Sequence, residues 1–441
     1  MNKQKELDTK LLYKMITKFR TDVEPKLTKY KNYYDGKQAI LNKSYADASK
    51  PCSKTVTNFC MNIANSYAGY IATPTHISYR SNEDIEEVMQ VLRYNDYQTQ
   101  DSSLLLDALI YGVSYELMYM DEAAQVRFKL ISPTTCFAVY DDSLTNDLLY
   151  FVRMYKEDEW SDSNIYLVDV YSDTDIKHYK MSGYNGGLEF EEAEPHYFNQ
   201  CPANVLVMPN EASIYDCVMS AQDAYNELLN SEIDDYSAFC DAYMVITGGE
   251  ILAEDVAAMK ENRVIMLTSE GMSASYLTKA PNDTQIENTL KRVQDSIYRI
   301  AQCPDFSSES FVGGVSSGIA IQYRLTGMET RAGKIEAEMK KALQRRIEII
   351  CGVASMKLGG DLFRDIEIDF KRNIPIDTTA TISLINTLKG TVSDATLLAQ
   401  LDFITDVNAE LEAVKAQKQE NMSLYSFGAF GSTDDLGEDE Q

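Results

Sequence analysis

The sequence predicts an α+β chain: a helical N-terminal part, a block of antiparallel strands, then a succession of long helices. Three observations carry this. Apolar residues recur at helical spacing near the start, at Leu7, Leu11, Met15, Phe19 and Val23. From Val113 to about Val207 the pattern becomes short β-branched and aromatic runs separated by turn residues. Beyond Asn210, apolar residues step by 4, 3, 4, 3 along three successive segments.

Taken in order, residues 5–32 read as a helix that Tyr33-Tyr34-Asp35-Gly36 breaks. Residues 55–72 read as a second helix, ended by Thr73-Pro74, and 82–94 and 99–111 as two more. Strand runs follow at Tyr115–Met120, Val126–Ile131, Phe137–Tyr140, Leu148–Tyr155, Ile165–Tyr171 and Ile176–Met181. Ser213 and Asp216 resemble a capping box for a helix with Ile214, Val218, Ala221, Tyr225 and Leu228 on its apolar face. That helix is expected to run through Tyr236, Phe239 and Tyr243 until Gly248-Gly249 stops it. A small α/β unit follows, with a helix near 253–261 and strands at Arg263–Thr268 and Ser275–Leu277. Ile286, Leu290, Val293, Ile297 and Ile300 mark another helix, stopped at Cys303-Pro304. After an aperiodic stretch, Ile321, Leu325, Met328, Ala332, Ile335, Met339 and Ala342 carry the longest helical signal. From Ser317 to Met356 it would span about 60 Å at the α-helical rise. A strand-like run, Asp365–Lys371, comes next, and 378–420 read as short helices broken near Lys389-Gly390.

Hydrophobic residues make up 44% of the 441 and charged residues 25%, which is ordinary globular composition and excludes global disorder. The charge is −27, from 41 Lys+Arg against 68 Asp+Glu. Bulk attraction to nucleic acid is therefore excluded, because phosphate affinity comes from Lys and Arg. A membrane-bound basic face is disfavoured for the same reason, and no run approaches a membrane-spanning length. The first residues lack the apolar core of a secretory signal, and eight dispersed cysteines suit a reducing cytosol. Two segments depart from the acidic average. Residues 1–50 carry +6 and 321–357 carry +4, leaving −37 for the rest. They read either as solvated helices or as basic faces meeting acidic faces of other subunits. The second reading makes Arg324, Arg331, Lys334, Arg345 and Arg346 intersubunit candidates. The acidic end, 426–441, is poor in apolar residues and predicts a disordered tail.

Catalytic patterns are missing. Gly36-Lys37 and Gly333-Lys334 lack the remainder of a P-loop. Gly313 to Gly318 has neither a Lys partner nor a preceding strand to make a phosphate cradle. His76, His178 and His196 are scattered, with no zinc spacing, and Asp169, Asp173 and Asp175 lack an EF-hand's glycine and terminal glutamate. No catalytic residue, metal or cofactor is assigned, and the chain is expected not to be an enzyme.

Several motifs, in order, resemble one family. They are Tyr33-Tyr34-Asp35-Gly36-Lys37-Gln38-Ala39-Ile40, Val56-Thr57-Asn58-Phe59, and the stretch from Asp107 to Glu116. Tyr215-Asp216 with Ser220, Pro304-Asp305-Phe306, Ser316-Ser317-Gly318-Ile319-Ala320 and Gly390-Thr391-Val392-Ser393 follow. Over about residues 30–415 the chain resembles the portal proteins of tailed double-stranded DNA bacteriophages, in the branch of long-noncontractile-tail phages of Gram-positive hosts. Thr57-Asn58 departs from the Asn-Asn often found there.

The resemblance implies a portal-like subunit with an α/β wing, a long-helix stem, a small α/β clip and a helical crown. Copies would assemble as a ring of about twelve at one capsid vertex. The wing maps to 1–210 with a return strand in 358–375, and the stem to 211–247 and 283–302. The clip maps to 248–282, the long helix to 319–357 and the crown to 376–425. The clip would dock the large terminase subunit and later a head-completion protein, with Glu254, Asp255, Lys260, Arg263 and Lys279 as candidates. The tunnel loop, 303–318, would face passing DNA with Asp305, Phe306, Ser307, Ser308, Glu309, Ser310, Phe311, Val312, Gly313, Gly314, Val315, Ser316, Ser317 and Gly318. It contains no Lys or Arg, which suits a duplex that must slide without sequence-specific contact. Major capsid and scaffolding proteins are further implied partners; a membrane is not. Location would be the virion vertex, after assembly in host cytoplasm. The alternative is a minor head or scaffold-type virion protein without a channel.

Overall fold

The computed structural model describes residues 7–47, 50–73, 76–158, 160, 164–184, 186–240, 244–248, 271, 273–276, 283–307, 318–353, 362–372, 378–398, 401 and 407–428. The chain divides into two compact units. One comprises Met1–Val315 and Gln322–Asn373; the other comprises Ser316–Ile321 and Ile374–Gln441.

The first unit opens with α1 (Thr9–Lys18), whose Asp8 cap accepts the Leu11 N–H. A wide π-turn, Phe19–Val23, joins it to α2 (Glu24–Tyr34). The expected second helix starts late: residues 53–58 are extended, and Asn58 caps α3 (Phe59–Ile71) through the Met61 N–H at 3.1 Å. Strand β1 (Ile77–Arg80) was not evident from the sequence; α4 (Glu86–Tyr94) and α5 (Tyr97–Tyr111) follow close to expectation. Gly112 ends α5 at φ +86°, and a Cβ there would lie 2.7 Å from the Ala212 backbone, so both the turn and the close approach require glycine.

Eight strands come next: β2 (Val113–Met120), β3 (Val126–Ile131), β4 (Cys136–Tyr140), β5 (Leu148–Lys156), β6 (Ile165–Tyr171), β7 (Asp175–Ser182), β8 (Leu188–Pro195) and β9 (Ala203–Val207). They form two antiparallel sheets, ordered β3-β2-β9 and β4-β5-β6-β7-β8. Tyr115, Leu117 and Ala203 of the first sheet share one apolar cluster with Cys136, Phe151 and Tyr171 of the second. Strand β2 is buried over most of its length, as a strand covered on both faces must be. Strand β8 escaped the sequence reading because its Glu189, Glu191, Glu192 and Glu194 are exposed and give no apolar alternation.

The helical part of this unit contains α6 (Met219–Cys240), α7 (Asp283–Ala301) and most of α8 (Gly318–Cys351). Two expectations are corrected here. Ser213 and Asp216 form no capping box: the Ser213 hydroxyl donates to Leu109 O, and Asp216 accepts the Tyr30 hydroxyl. Helix α6 ends at Cys240, and Met244–Thr247 is instead a strand, β10, paired with β11 (Ser273–Tyr276). The helix near 253–261 and the strand at 263–268 lie outside the described residues. On α8 the predicted seam is buried from Leu325 onward: Leu325, Met328, Ala332, Ile335, Met339 and Ala342 are all core, while Ile321 is half-buried. The return strand forms as β12 (Glu367–Phe370) and pairs antiparallel with β1, Tyr79 opposite Ile368.

In the second unit, α9 (Thr378–Leu388) and α10 (Asp394–Leu398) flank a tight turn with Gly390 at φ +87°. Helix α11 (Val407–Gly428) runs past residue 426, where the tail was expected to begin.

Candidate functional site

The best-built junction in the chain is the base of the 303–318 loop. Helix α7 stops because Gln302 takes φ +54° and Pro304 cannot continue a helix. Its last carbonyls would be left bare. Two side chains take them up. The Tyr67 hydroxyl, from α3, reaches Ala301 O at 3.0 Å and Gln302 O at 3.1 Å. Arg331, from α8, donates to Ala301 O at 2.9 Å and with its other arm to Ile214 O at 2.8 Å. One guanidinium thus ties the end of α7 and the turn before α6 to α8. Burial pushes the Tyr67 hydroxyl up in pKa against the pull of Arg331, so it remains a donor. Below the clamp, Asp305 accepts the Ser307 N–H at 3.0 Å and its hydroxyl at 2.6 Å, starting the loop with a local turn. Gln294 of α7 holds the other oxygen of Asp305 at 3.2 Å. Phe306 is 41% exposed. Of the predicted loop residues, Asp305, Phe306, Ser307 and Gly318 are described; Ser308, Glu309, Ser310, Phe311, Val312, Gly313, Gly314, Val315, Ser316 and Ser317 lie outside the described residues.

Farther along α8, Arg346 is completely buried. It donates to both oxygens of Glu116 on β2, at 2.8 and 2.9 Å, and to Asp101 on α5. Its guanidinium lies 4.6 Å from the Phe128 ring centroid. Tyr79 donates to Asp101 at 3.1 Å, and Asn204 to Glu116 at 3.1 Å. Burial pulls the arginine down, yet the two carboxylates more than offset it and hold its pKa well above the ordinary value. Burial likewise raises Asp101, against the pull of Arg346. Arg372 bonds Glu329, just before Arg331, at 2.9 Å, and Glu336, between the two anchors, at 2.6 Å. The long helix is therefore pinned to its own subunit at three heights.

This corrects the intersubunit expectation for Arg346: a fully buried cation with two carboxylates inside the chain has nothing left for a neighbour. Arg331 and Arg345 are only partly buried: Arg331 bonds the two carbonyls, and Arg345 bonds Gln200 and Glu348 at 2.7 Å each. Arg324 and Lys334 are exposed. Lys334 lines a cavity of about 580 Å³ beside Ile300, Thr330 and Met208. The clip candidates Glu254, Asp255, Lys260, Arg263 and Lys279 lie outside the described residues.

Helix α6 holds a feature that the apolar reading missed. Of the positions read as its apolar seam, Ile214 and Val218, just before the helix, are buried, but Ala221, Tyr225 and Leu228 within it are only half-buried, whereas Gln222, Asn226 and Asn230 are completely buried. With Asp234 they form a column at four-residue spacing that binds the extended chain as a neighbouring strand would. Gln222 accepts the Phe59 N–H and donates to Thr57 O; Asn226 accepts the Thr57 N–H. Asn230 accepts from Thr55 N at 2.6 Å and donates to Thr55 O at 2.7 Å. Asp234 accepts the Ser53 N–H at 2.6 Å and pairs with Lys43 at 3.2 Å. Burial opposes its charge, but Ser53 and Lys43 hold its carboxyl below the ordinary range. The spacing 222, 226, 230, 234 was the available signal.

Among the described residues no His, Cys, Asp and Glu cluster could hold a metal, and no helix is long and apolar enough to cross a membrane. The arrangement is suited to holding helices and a loop base in fixed register.

Two known proteins are similar to this chain in sequence. The chain is 23% identical over 350 residues to the portal protein of Bacillus phage SPP1, covering 75% of this chain and 69% of that protein. It is 20% identical over 411 residues to the portal protein of Clostridium phage phiCD119, covering 86% and 89%. Residues 16–424 match the family model described as phage portal protein, SPP1 Gp6-like, and the chain belongs to that family.

Proposed function

We propose that the chain assembles into a closed ring of about twelve copies at one capsid vertex, and that the ring is the channel for double-stranded DNA in packaging and ejection. Family membership over residues 16–424 carries this reading. The acidic body and the absence of Lys and Arg from 303–318 support it, because a wall with many phosphate contacts would grip DNA. The clamped loop base supports it too: Tyr67 and Arg331 fix the end of α7 where the loop begins. In this reading 248–282 docks the large terminase subunit and later the head-completion protein, and capsid and scaffolding proteins surround the wing. Arg324, Arg331, Lys334 and Arg345, none of them fully buried, remain the proposed intersubunit cations. The role is structural, within the virion, after assembly in the host cytoplasm.

Deleting residues 307–314 tests the channel. Rings of unchanged size are expected by native mass spectrometry, with DNA-filled heads reduced to background. Loss of ring assembly would make the loop a structural part; normal packaging would remove it from the channel.

A further inference from the structure

The helix break at the N-terminus buries an arginine that the channel reading does not use. Pro25 has no N–H to donate to Thr21 O, so the helix widens there. The Glu24 N–H reaches back to Phe19 O, the five-residue spacing of a π-turn, a form that recurs at functional sites. This turn buries Arg20 to 9% exposure. Its guanidinium lies 3.8 Å from the Tyr184 ring centroid and 5.4 Å from that of Tyr166, and Nη1 reaches Met181 Sδ at 3.8 Å. No carboxylate among the described residues comes within ion-pair distance of it. Glu24, the nearby acid, instead accepts the Tyr184 hydroxyl. Burial lowers the pKa of Arg20, and the charge of nearby Glu24 offsets this only in part.

Arg20 lines a groove of about 470 Å³ along α2 and the 37–42 turn. Lys29, Asn32, Lys37 and Tyr184 also line it, and Glu24 is its one carboxylate. Lys29 and Lys37 are exposed and make no ion pair with a described residue. The groove sits in the segment that carries +6 in a chain of −27.

We propose that this groove binds a carboxylate-rich peptide segment of a partner protein. One carboxylate meets the Arg20 guanidinium, others meet Lys29 and Lys37, and the Asn32 amide bonds peptide backbone. The volume admits a few side chains, not a duplex, and the −37 carried elsewhere repels a polyanion the size of DNA. A solvated basic face would not bury its arginine. The inference is independent of the channel reading.

The test uses the full chain and a fluorescein-labelled octapeptide of alternating Glu and Ala, read by anisotropy. Saturable, salt-sensitive binding is expected. It should weaken by about tenfold in the variant Lys29→Glu/Lys37→Glu, and also in Arg20→Lys, which keeps the charge but loses the planar fork. Lys10→Glu/Lys14→Glu, on the exposed face of α1, should leave it unchanged. Equal binding of a Gln/Ala peptide, or equal loss in the Lys10/Lys14 variant, would reduce the site to diffuse electrostatics and overturn it. Tighter binding of a labelled DNA duplex, lost in the Lys29/Lys37 variant, would assign the groove to nucleic acid instead. Because Lys29 and Lys37 are exposed, their variant should fold even if the Arg20 variant does not.

Discussion

Arg346→Ala is expected to destabilise the subunit by about 3–5 kcal/mol, the usual result of removing one partner from a buried ion pair. Here the loss leaves Asp101 and Glu116 facing each other in the core with no cation, and opens a cavity against Phe128. The urea midpoint, followed by circular dichroism, checks it. The triple change Arg346→Met, Asp101→Asn and Glu116→Gln removes all three charges and is expected to recover most of the deficit, because the penalty lies in the unpaired carboxylates. A midpoint for Arg346→Ala within error of the native chain would mean that the network holds nothing in place.

Asn230→Leu carries the second large effect. The side chain fills both hydrogen-bonding positions of Thr55, and a leucine of similar volume fills neither. Two backbone groups then lose their partners, at about 1–3 kcal/mol each where they stay buried. Amide hydrogen exchange should locate the damage, with protection across 53–58 falling by about tenfold or more while the strands of the five-stranded sheet keep theirs. Pairing it with Asn226→Leu should cost more than either alone, since both hold the same extended segment. Unchanged exchange at Thr55 and Thr57 would show that the column does not hold this segment.

These two features also mark where sequence reading succeeds and where it stops. The seam of α8 was legible because apolar residues at a single period face one core, and every position from Leu325 to Ala342 on that seam is buried. The strands from β2 to β7 were legible because turn residues bound them. The same method failed on α6, where the buried face is polar and the half-buried face is apolar. Hydrophobic periodicity cannot find a helix whose partner is an extended backbone wanting hydrogen bonds. Arg346 was misassigned for a related reason: its carboxylates stand 245 and 230 positions away in sequence, and nothing local distinguishes a buried arginine from a surface one. The loop clamp was invisible too, since Tyr67 and Arg331 bond carbonyls, which every residue has. Strand β1 was missed because, among the described residues, its partner is β12, far along the chain.

The central claim is the ring. Native mass spectrometry of the purified chain, with class averages from negative-stain images, tests it most directly. The expected result is one dominant closed species near twelve copies, with a central hole wide enough for duplex DNA. A monomer that persists across concentrations, or an assembly without an open central hole, would contradict the channel and leave a structural head protein of another kind.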